Sequence, residues 1–123
     1  MKKKKKNVQN INTFLGSQTR ITGKLEFEGA IRIDGHFEGD IISKEGSVIV
    51  GQDAILKGNI KVASILILGE VNGNIEAENR IDIHPPGKMI GDIKAPIILI
   101  DPGVAFNGKC IVAKQPQDSL KSE

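Results

Sequence analysis

Residues 31–60, IRIDGHFEGDIISKEGSVIVGQDAILKGNI, contain two copies of one arrangement. Each copy begins with an apolar-x-apolar triplet, IRI at 31–33 and VIV at 48–50. Each then has a glycine, a polar residue and an isoleucine, GDI at 39–41 and GNI at 58–60. Apolar positions that return at a nearly fixed interval predict a solenoid, in which each turn buries its inner face by stacking on its neighbours.

Both motifs recur along most of the chain. The triplet is assigned to five places at spacings of 17, 18, 15 and 17 residues: Ile31/Ile33, Val48/Val50, Leu66/Leu68, Ile81/Ile83 and Ile98/Ile100. The glycine motif has six copies at spacings of 16, 19, 15, 18 and 17 residues: Gly23, Gly39, Gly58, Gly73, Gly91 and Gly108. The residues two positions before and after each glycine are apolar or, in one case, Cys110, so each motif alternates like a strand with one buried face. The pattern predicts an all-β solenoid of about six turns of roughly 17 residues, with Cys110 in its core.

The composition favours strands and provides few residues that could form a catalytic or metal-binding site. The chain of 123 residues has 39% apolar residues, no Trp or Tyr, four Phe and 14 Gly, a composition that favours strands and tight corners. The single cysteine excludes an internal disulfide and a cysteine-rich zinc site. His36 and His84 lack the spacing of metal ligands and are expected to be exposed corner residues. We therefore predict no catalytic residue, metal or cofactor.

Charge divides the chain into three parts. The net charge is +2, but residues 16–113 carry 10 basic and 13 acidic residues. The positive sign comes from an N-terminal run, which consists of Lys2, Lys3, Lys4, Lys5 and Lys6. We predict a flexible Lys-rich tail over 1–15, the solenoid over 16–113 and a flexible polar tail over 114–123. The run is a candidate for binding an anionic membrane or an acidic protein; nucleic acid is a less favoured partner, and solubility alone is the remaining interpretation.

The ends of the predicted solenoid are candidate contact surfaces. Neither end is followed by an amphipathic helix that could cover it, and uncovered strand edges and apolar ends favour stacking. The candidate polymerisation interface consists of Phe14, Leu15 and Ile21 at the N-terminal end and Phe106, Ile111 and Val112 at the C-terminal end. Ends that pair with their own kind would form isologous contacts about two-fold axes.

The sequence resembles the bactofilin family of bacterial cytoskeletal proteins. The resemblance is carried by FLGSQTRITGKL, IRIDGHFEGDI, VIVGQDAILKGNI, LILGEVNGNIEA and DPGVAFNGKC, in that order. It implies a right-handed parallel β-helix of triangular cross-section and a homopolymer that forms without nucleotide. It also implies filaments without polarity, built from N–N and C–C contacts, with Phe106 as the aromatic residue of the C-terminal contact. Roles in cell shape or in localising partners such as cell-wall enzymes are expected, in the cytoplasm and at the inner face of the cell membrane.

An enzyme is the alternative. Hexapeptide acyltransferases are also β-helices, and VGQDAILKGNI resembles their repeats. Their turns repeat strictly near 18 residues, whereas the interval here varies from 15 to 19. The sequence therefore favours a scaffold without catalysis, and filaments rather than a discrete trimer are expected from the purified protein.

Overall fold

The computed structural model describes residues 11–112, in which every paired strand is parallel. Those residues contain strands and turns and no helix. The twelve strands are β1 (Ile11–Leu15), β2 (Arg20–Glu26), β3 (Ala30–Ile33), β4 (His36–Ile42), β5 (Ser47–Val50), β6 (Ile55–Ile67), β7 (Glu70–Ile83), β8 (Lys88–Ile90), β9 (Ile93–Ala95), β10 (Ile97–Ile100), β11 (Ala105–Asn107) and β12 (Cys110–Val112). The predicted all-β parallel solenoid is confirmed.

The strands form six stacked coils, each of which crosses three faces. The coils are 11–26, 30–42, 47–62, 64–77, 80–95 and 97–112. The first face carries the triplets: 11–15, 30–33, 47–50, 64–67, 80–83 and 97–100. The second face precedes the motif glycines, and the third face follows them. In the last two coils the strand is interrupted at the glycine, so the two faces are formed by separate strands, β8 and β9 in the fifth coil and β11 and β12 in the sixth.

The motif glycines form one column along the corner between the second and third faces. Gly39 pairs with Gly23 and with Gly58, and Gly58 pairs with Gly73. All six have a φ between +130° and +155°, a backbone conformation that side chains strongly disfavour. A Cβ on Gly58 would also overlap the carbonyl oxygen of Gly39. The predicted glycine register is correct, and its cause is both conformational and steric.

The core is a stack of aliphatic side chains that point inward from all three faces. Ile31, Ile33, Ile81 and Ile83 are fully buried on the first face. Ser43 is the buried polar side chain of the described core, and its Oγ accepts a hydrogen bond from the Gly46 N–H at 2.9 Å. Within residues 11–112, every buried side-chain polar atom has a partner. The core is therefore uniform from coil to coil, as a stacked repeat requires.

The sequence pattern places the triplet of the fourth coil one residue too late. Val48 pairs with Ile65, and Ile65 pairs with Ile81. Ile65 and Ile67 are buried, whereas Leu66 and Leu68 are only partly buried on the outer surface. The corrected triplets return every 17, 17, 16 and 17 residues. Four consecutive apolar residues, 65–68, fit either phase of a two-residue period, so the pattern alone could not choose between them.

Two further expectations are corrected at the ends. The strand Ile11–Leu15 pairs with Ala30–Ile33, so the solenoid begins before the predicted boundary at residue 16. Cys110 pairs with Ile93 in the expected column, but it is exposed. It belongs to the last coil, and no described strand covers that coil. A place in an inward column gives burial only where another coil follows.

Candidate functional site at the two open ends

The C-terminal end exposes the core of the solenoid. Phe106 pairs with Met89 in the coil below, and Met89 is fully buried while Phe106 is only partly buried. Val112 pairs with Ala95, and the exposed fraction rises from 1% at Ala95 to 64% at Val112. Each inward position thus loses its cover in the last coil. An apolar surface of this kind is stabilised by contact with another apolar surface.

The N-terminal end is open in the same way. Leu15 pairs with Ile33 and Ile21 pairs with Phe37, and both residues of the first coil are half-buried above fully buried partners. A Cβ built on Gly23 would meet nothing within 4 Å. The equivalent Cβ on every later motif glycine would strike the glycine of the preceding coil. Among residues 11–112, nothing therefore covers the backbone or the inward side chains of the N-terminal end.

Two of the six predicted interface residues lie elsewhere. Phe14 pairs with Arg32 and is 59% exposed on the outside of the first face. Ile111 pairs with Lys94, in an outward column of the third face. Adjacent residues in a strand point to opposite sides of the sheet, so Phe14 points outward because Leu15 points inward. Their part in polymerisation, like that of the four end residues, stays a prediction.

Other exposed apolar side chains of the last coil were not predicted. Ile97, Leu99 and Ile100 of β10 are 51%, 43% and 37% exposed. Ile100 pairs with the fully buried Ile83 and so belongs to the open end. Ile97 and Leu99 point outward from the first face. The run of four apolar residues at 97–100 was a signal for both surfaces, because a strand that is apolar on both sides has two faces to cover.

Backbone groups are also unpaired at both ends. Within residues 11–112, β2 pairs only with β4, and β10, β11 and β12 each pair only with the coil before them. The outer edges of these strands present rows of N–H and C=O groups. Such edges are templates for pairing with a further strand. Apolar packing and edge pairing thus coincide on the same two surfaces.

Near the C-terminal end, one side-chain contact joins two coils and one ion pair lies within a coil. The Nδ1 atom of His84 lies 2.5 Å from an Asp101 carboxylate oxygen, which links the last two coils. His84 is partly buried in this contact, so the expectation of an exposed residue was wrong for His84 and correct for His36. Arg80 donates hydrogen bonds to Asp82, and these bonds and the attraction of the carboxylate raise the pKa of Arg80. Arg80 therefore stays positively charged.

Within the described residues, no three or more His, Cys, Asp or Glu side chains come together as a metal site would require. The same part of the chain contains no helix with the length and apolar character to cross a membrane.

Taken together, these features define a class: a parallel β-solenoid whose core and strand edges, within residues 11–112, are open at both ends. The model of one family, described as "Bactofilin: Polymer-forming cytoskeletal", matches residues 13–111. The chain therefore belongs to the bactofilin family. That family description concerns a cytoskeletal polymer and does not support the acyltransferase alternative.

Individual relatives agree with this assignment. The chain is 34% identical over 97 residues to bactofilin BacO of Myxococcus xanthus, a match that covers 79% of this chain and 76% of BacO. It is 32% identical over 98 residues to bactofilin BacP of the same organism, covering 80% of this chain but only 40% of BacP. A cryo-EM reconstruction of Thermus thermophilus bactofilin double helical filaments superposes with a TM-score of 0.77 at 29% identity, covering 82% of this chain and 99% of that chain.

Proposed function

We propose that this bactofilin is a scaffold that assembles end to end into filaments without nucleotide and without polarity. In this proposal it acts in the cytoplasm at the inner face of the cell membrane, without catalysis. There the filaments help to set cell shape or to localise partners such as cell-wall enzymes. One observation supports the assembly above all: inward positions that are fully buried in the middle coils are only partly buried or exposed in the first and last coils.

The end contact is driven by apolar burial and completed by strand pairing. At the C-terminal end, Ile100, Phe106 and Val112 would leave water when a second end covers them, and removing apolar surface from water contributes about 25 cal/mol per Å². The three last strands supply backbone edges on the same surface. No charged residue lies among the inward positions of the last coil, so contact desolvates little charge.

Like-to-like contacts give the filament its lack of polarity. A C–C contact and an N–N contact, each about a two-fold axis, alternate along the filament and reverse successive protomers. Both ends present apolar side chains that pack against the core, with Phe106 at one and Ile21 at the other. Each end can therefore cover a copy of itself without burying a charge.

The substitution Phe106→Arg tests the proposal. The expected result is a folded monomer that forms no filaments, because a guanidinium would be buried without a partner at the contact. Asn107→Arg is the matched control, since Asn107 is the next residue and points outward; it should polymerise like the wild type. Electron microscopy and size-exclusion chromatography without nucleotide give the readout. Intact filaments of the Phe106→Arg chain would contradict the proposed C-terminal contact.

A further inference from the structure

The outer surface of the first face differs from the other two outer surfaces. In the third and fourth coils its paired strands, 47–50 and 64–67, carry no charged residue; their outward residues are Ser47, Ile49, Ser64 and Leu66. The second and third faces carry charged residues in the same coils, among them Lys57, Glu70, Lys61 and Glu76. The first face thus has an uncharged centre, which solvent exposure alone does not explain.

The central outward column of the first face is symmetric in its chemistry. Strand pairing sets its order from the first coil to the sixth: Phe14, Arg32, Ile49, Leu66, Asp82 and Leu99. The order is apolar, positive, apolar, apolar, negative, apolar. The two halves of the column match when one of them is reversed, except that the charge changes sign. A surface with this property is complementary to an inverted copy of itself.

We propose that the first face binds the first face of a second copy of this chain, with the two solenoid axes antiparallel. A two-fold axis along the strand direction, between the third and fourth coils, brings this about. It places Phe14 opposite Leu99 of the other copy, and it sets Ile49 against Leu66. Arg32 comes opposite Asp82. Because the axis is two-fold, each of these contacts occurs twice.

The flanking column agrees with this arrangement. Asp34 and His84 follow the buried triplet residues of the second and fifth coils, where their N–H groups bond to Leu15 and Ile67. The same axis places Asp34 opposite His84 of the other copy. Arg32 and Asp34 already form an ion pair within one coil, as do Arg80 and Asp82. Bringing the two pairs together produces alternating signs across the contact, which is favourable.

A parallel arrangement fails on charge. A two-fold axis along the solenoid would set each coil against the same coil of the other copy. Arg32 would then face Arg32, and Asp82 would face Asp82. Like charges in direct opposition oppose association, so the face selects the antiparallel partner. The proposed function supplies that partner, because a filament without polarity contains protomers in both orientations.

The size of the face explains when the contact forms. The face is six coils high, at about 4.8 Å per coil, and its strands are about 15 Å long, so its area is roughly 430 Å² per copy from standard sheet spacings. The pair would bury roughly 850 Å², below the about 1,200 Å² of a specific stable interface. One pair of protomers therefore associates weakly. Filaments repeat the contact many times, so pairing follows polymerisation.

This inference rests on the proposed function, and the test separates the two. Full-length wild type, Arg32→Asp and Asp82→Arg are polymerised, and electron microscopy records whether filaments form and what fraction of their length is paired side by side. We expect paired wild-type filaments, single filaments for each charge reversal, and recovery of pairing in the double variant Arg32→Asp/Asp82→Arg. Glu76→Arg is the control, a reversal on the third face that should leave pairing unchanged.

Each outcome is decisive. Charge-reversed filaments that pair as often as wild type, or a double variant that stays single, would overturn the lateral contact while leaving end-to-end assembly intact. Wild-type filaments that stay single would do the same. If the wild type forms no filaments, the proposed function itself fails. Circular dichroism of each variant, together with filament formation, shows that loss of pairing does not arise from unfolding.

Discussion

The carbonyl oxygen of Gly39 occupies the place where a side chain on Gly58 would begin. The same relationship joins each pair of neighbouring motif glycines down the corner, from Gly23 to Gly108. The corner therefore stacks backbone directly on backbone. Its stability depends on the absence of five successive side chains, those of Gly39, Gly58, Gly73, Gly91 and Gly108, and not on any contact made by one.

Gly58→Ala should destabilise the solenoid more than Gly23→Ala. Both residues have a φ near +135°, at +132° and +139°, so both substitutions introduce backbone strain of about 1–3 kcal/mol. Only the Cβ at position 58 also strikes a neighbouring coil, whereas that at position 23 has open space. Thermal unfolding followed by circular dichroism at equal protein concentration measures the difference. Equal losses would show that strain alone, without the stacking clash, makes glycine necessary.

Ile65→Ala should cost more than Leu66→Ala, although the residues are adjacent. Ile65 is 2% exposed in the core, and truncating a buried isoleucine costs about 2–5 kcal/mol. Leu66 points outward and is only partly buried, so a smaller loss is expected. Denaturant unfolding of the two variants gives the comparison. The reverse order would restore the register first assigned from the sequence.

Cys110 reports directly on the C-terminal contact. The thiol is exposed in the last coil and is the single cysteine of the chain. In a C–C contact both Cys110 residues lie in the coils that form the interface, so a bis-maleimide that spans this end should convert filaments into covalent dimers and nothing longer. In a head-to-tail filament the thiols are a whole protomer apart, roughly 25–30 Å for six coils, and no dimer should form. Denaturing gel electrophoresis separates the cross-linked dimer from the monomer. Phe106→Arg is the control, and it should remain monomeric after the same treatment.

The lysine run should bind anionic membranes. It lies outside the described residues, and each lysine near an anionic surface contributes about 1 kcal/mol. We expect the wild type to sediment with vesicles that contain an anionic phospholipid, and to be released as salt shortens the range of the attraction. Replacing residues 2–6 by glutamine keeps the length and removes the charge. If that variant sediments equally well, the tail does not bind lipid through charge.

Much of the fold could be predicted because its signals are local and repeated. The glycine column was correct in every coil, since positive φ and close stacking leave few other residues possible. The shift from Ile65 to Leu66 arose where four apolar residues follow one another and the two-residue period carries no phase. Cys110 shows a different limit. Its place in the column predicts that its side chain points inward, but burial also depends on whether a further coil covers it, which the column does not show.

The sites were harder to predict, for a physical reason. Apolar residues near the termini indicated open ends, yet Phe14 and Leu15 were placed together although neighbours in a strand face opposite ways. The sequence alone does not show the outward column of the first face, because its members are 16 to 18 residues apart and become neighbours only when the register is known. Its meaning lies in the order of charges, which no single residue displays.

The count of six coils also governs which chains can share a structure. An end contact involves only the coil at that end, so a relative with one coil more or fewer could still join the same filament. A lateral contact involves every coil, because Arg32 lies opposite Asp82 only when the two copies have the same number of coils. A longer or shorter relative would shift the charges out of phase. Mixed assemblies would therefore be permitted along a filament and sorted by coil number between filaments.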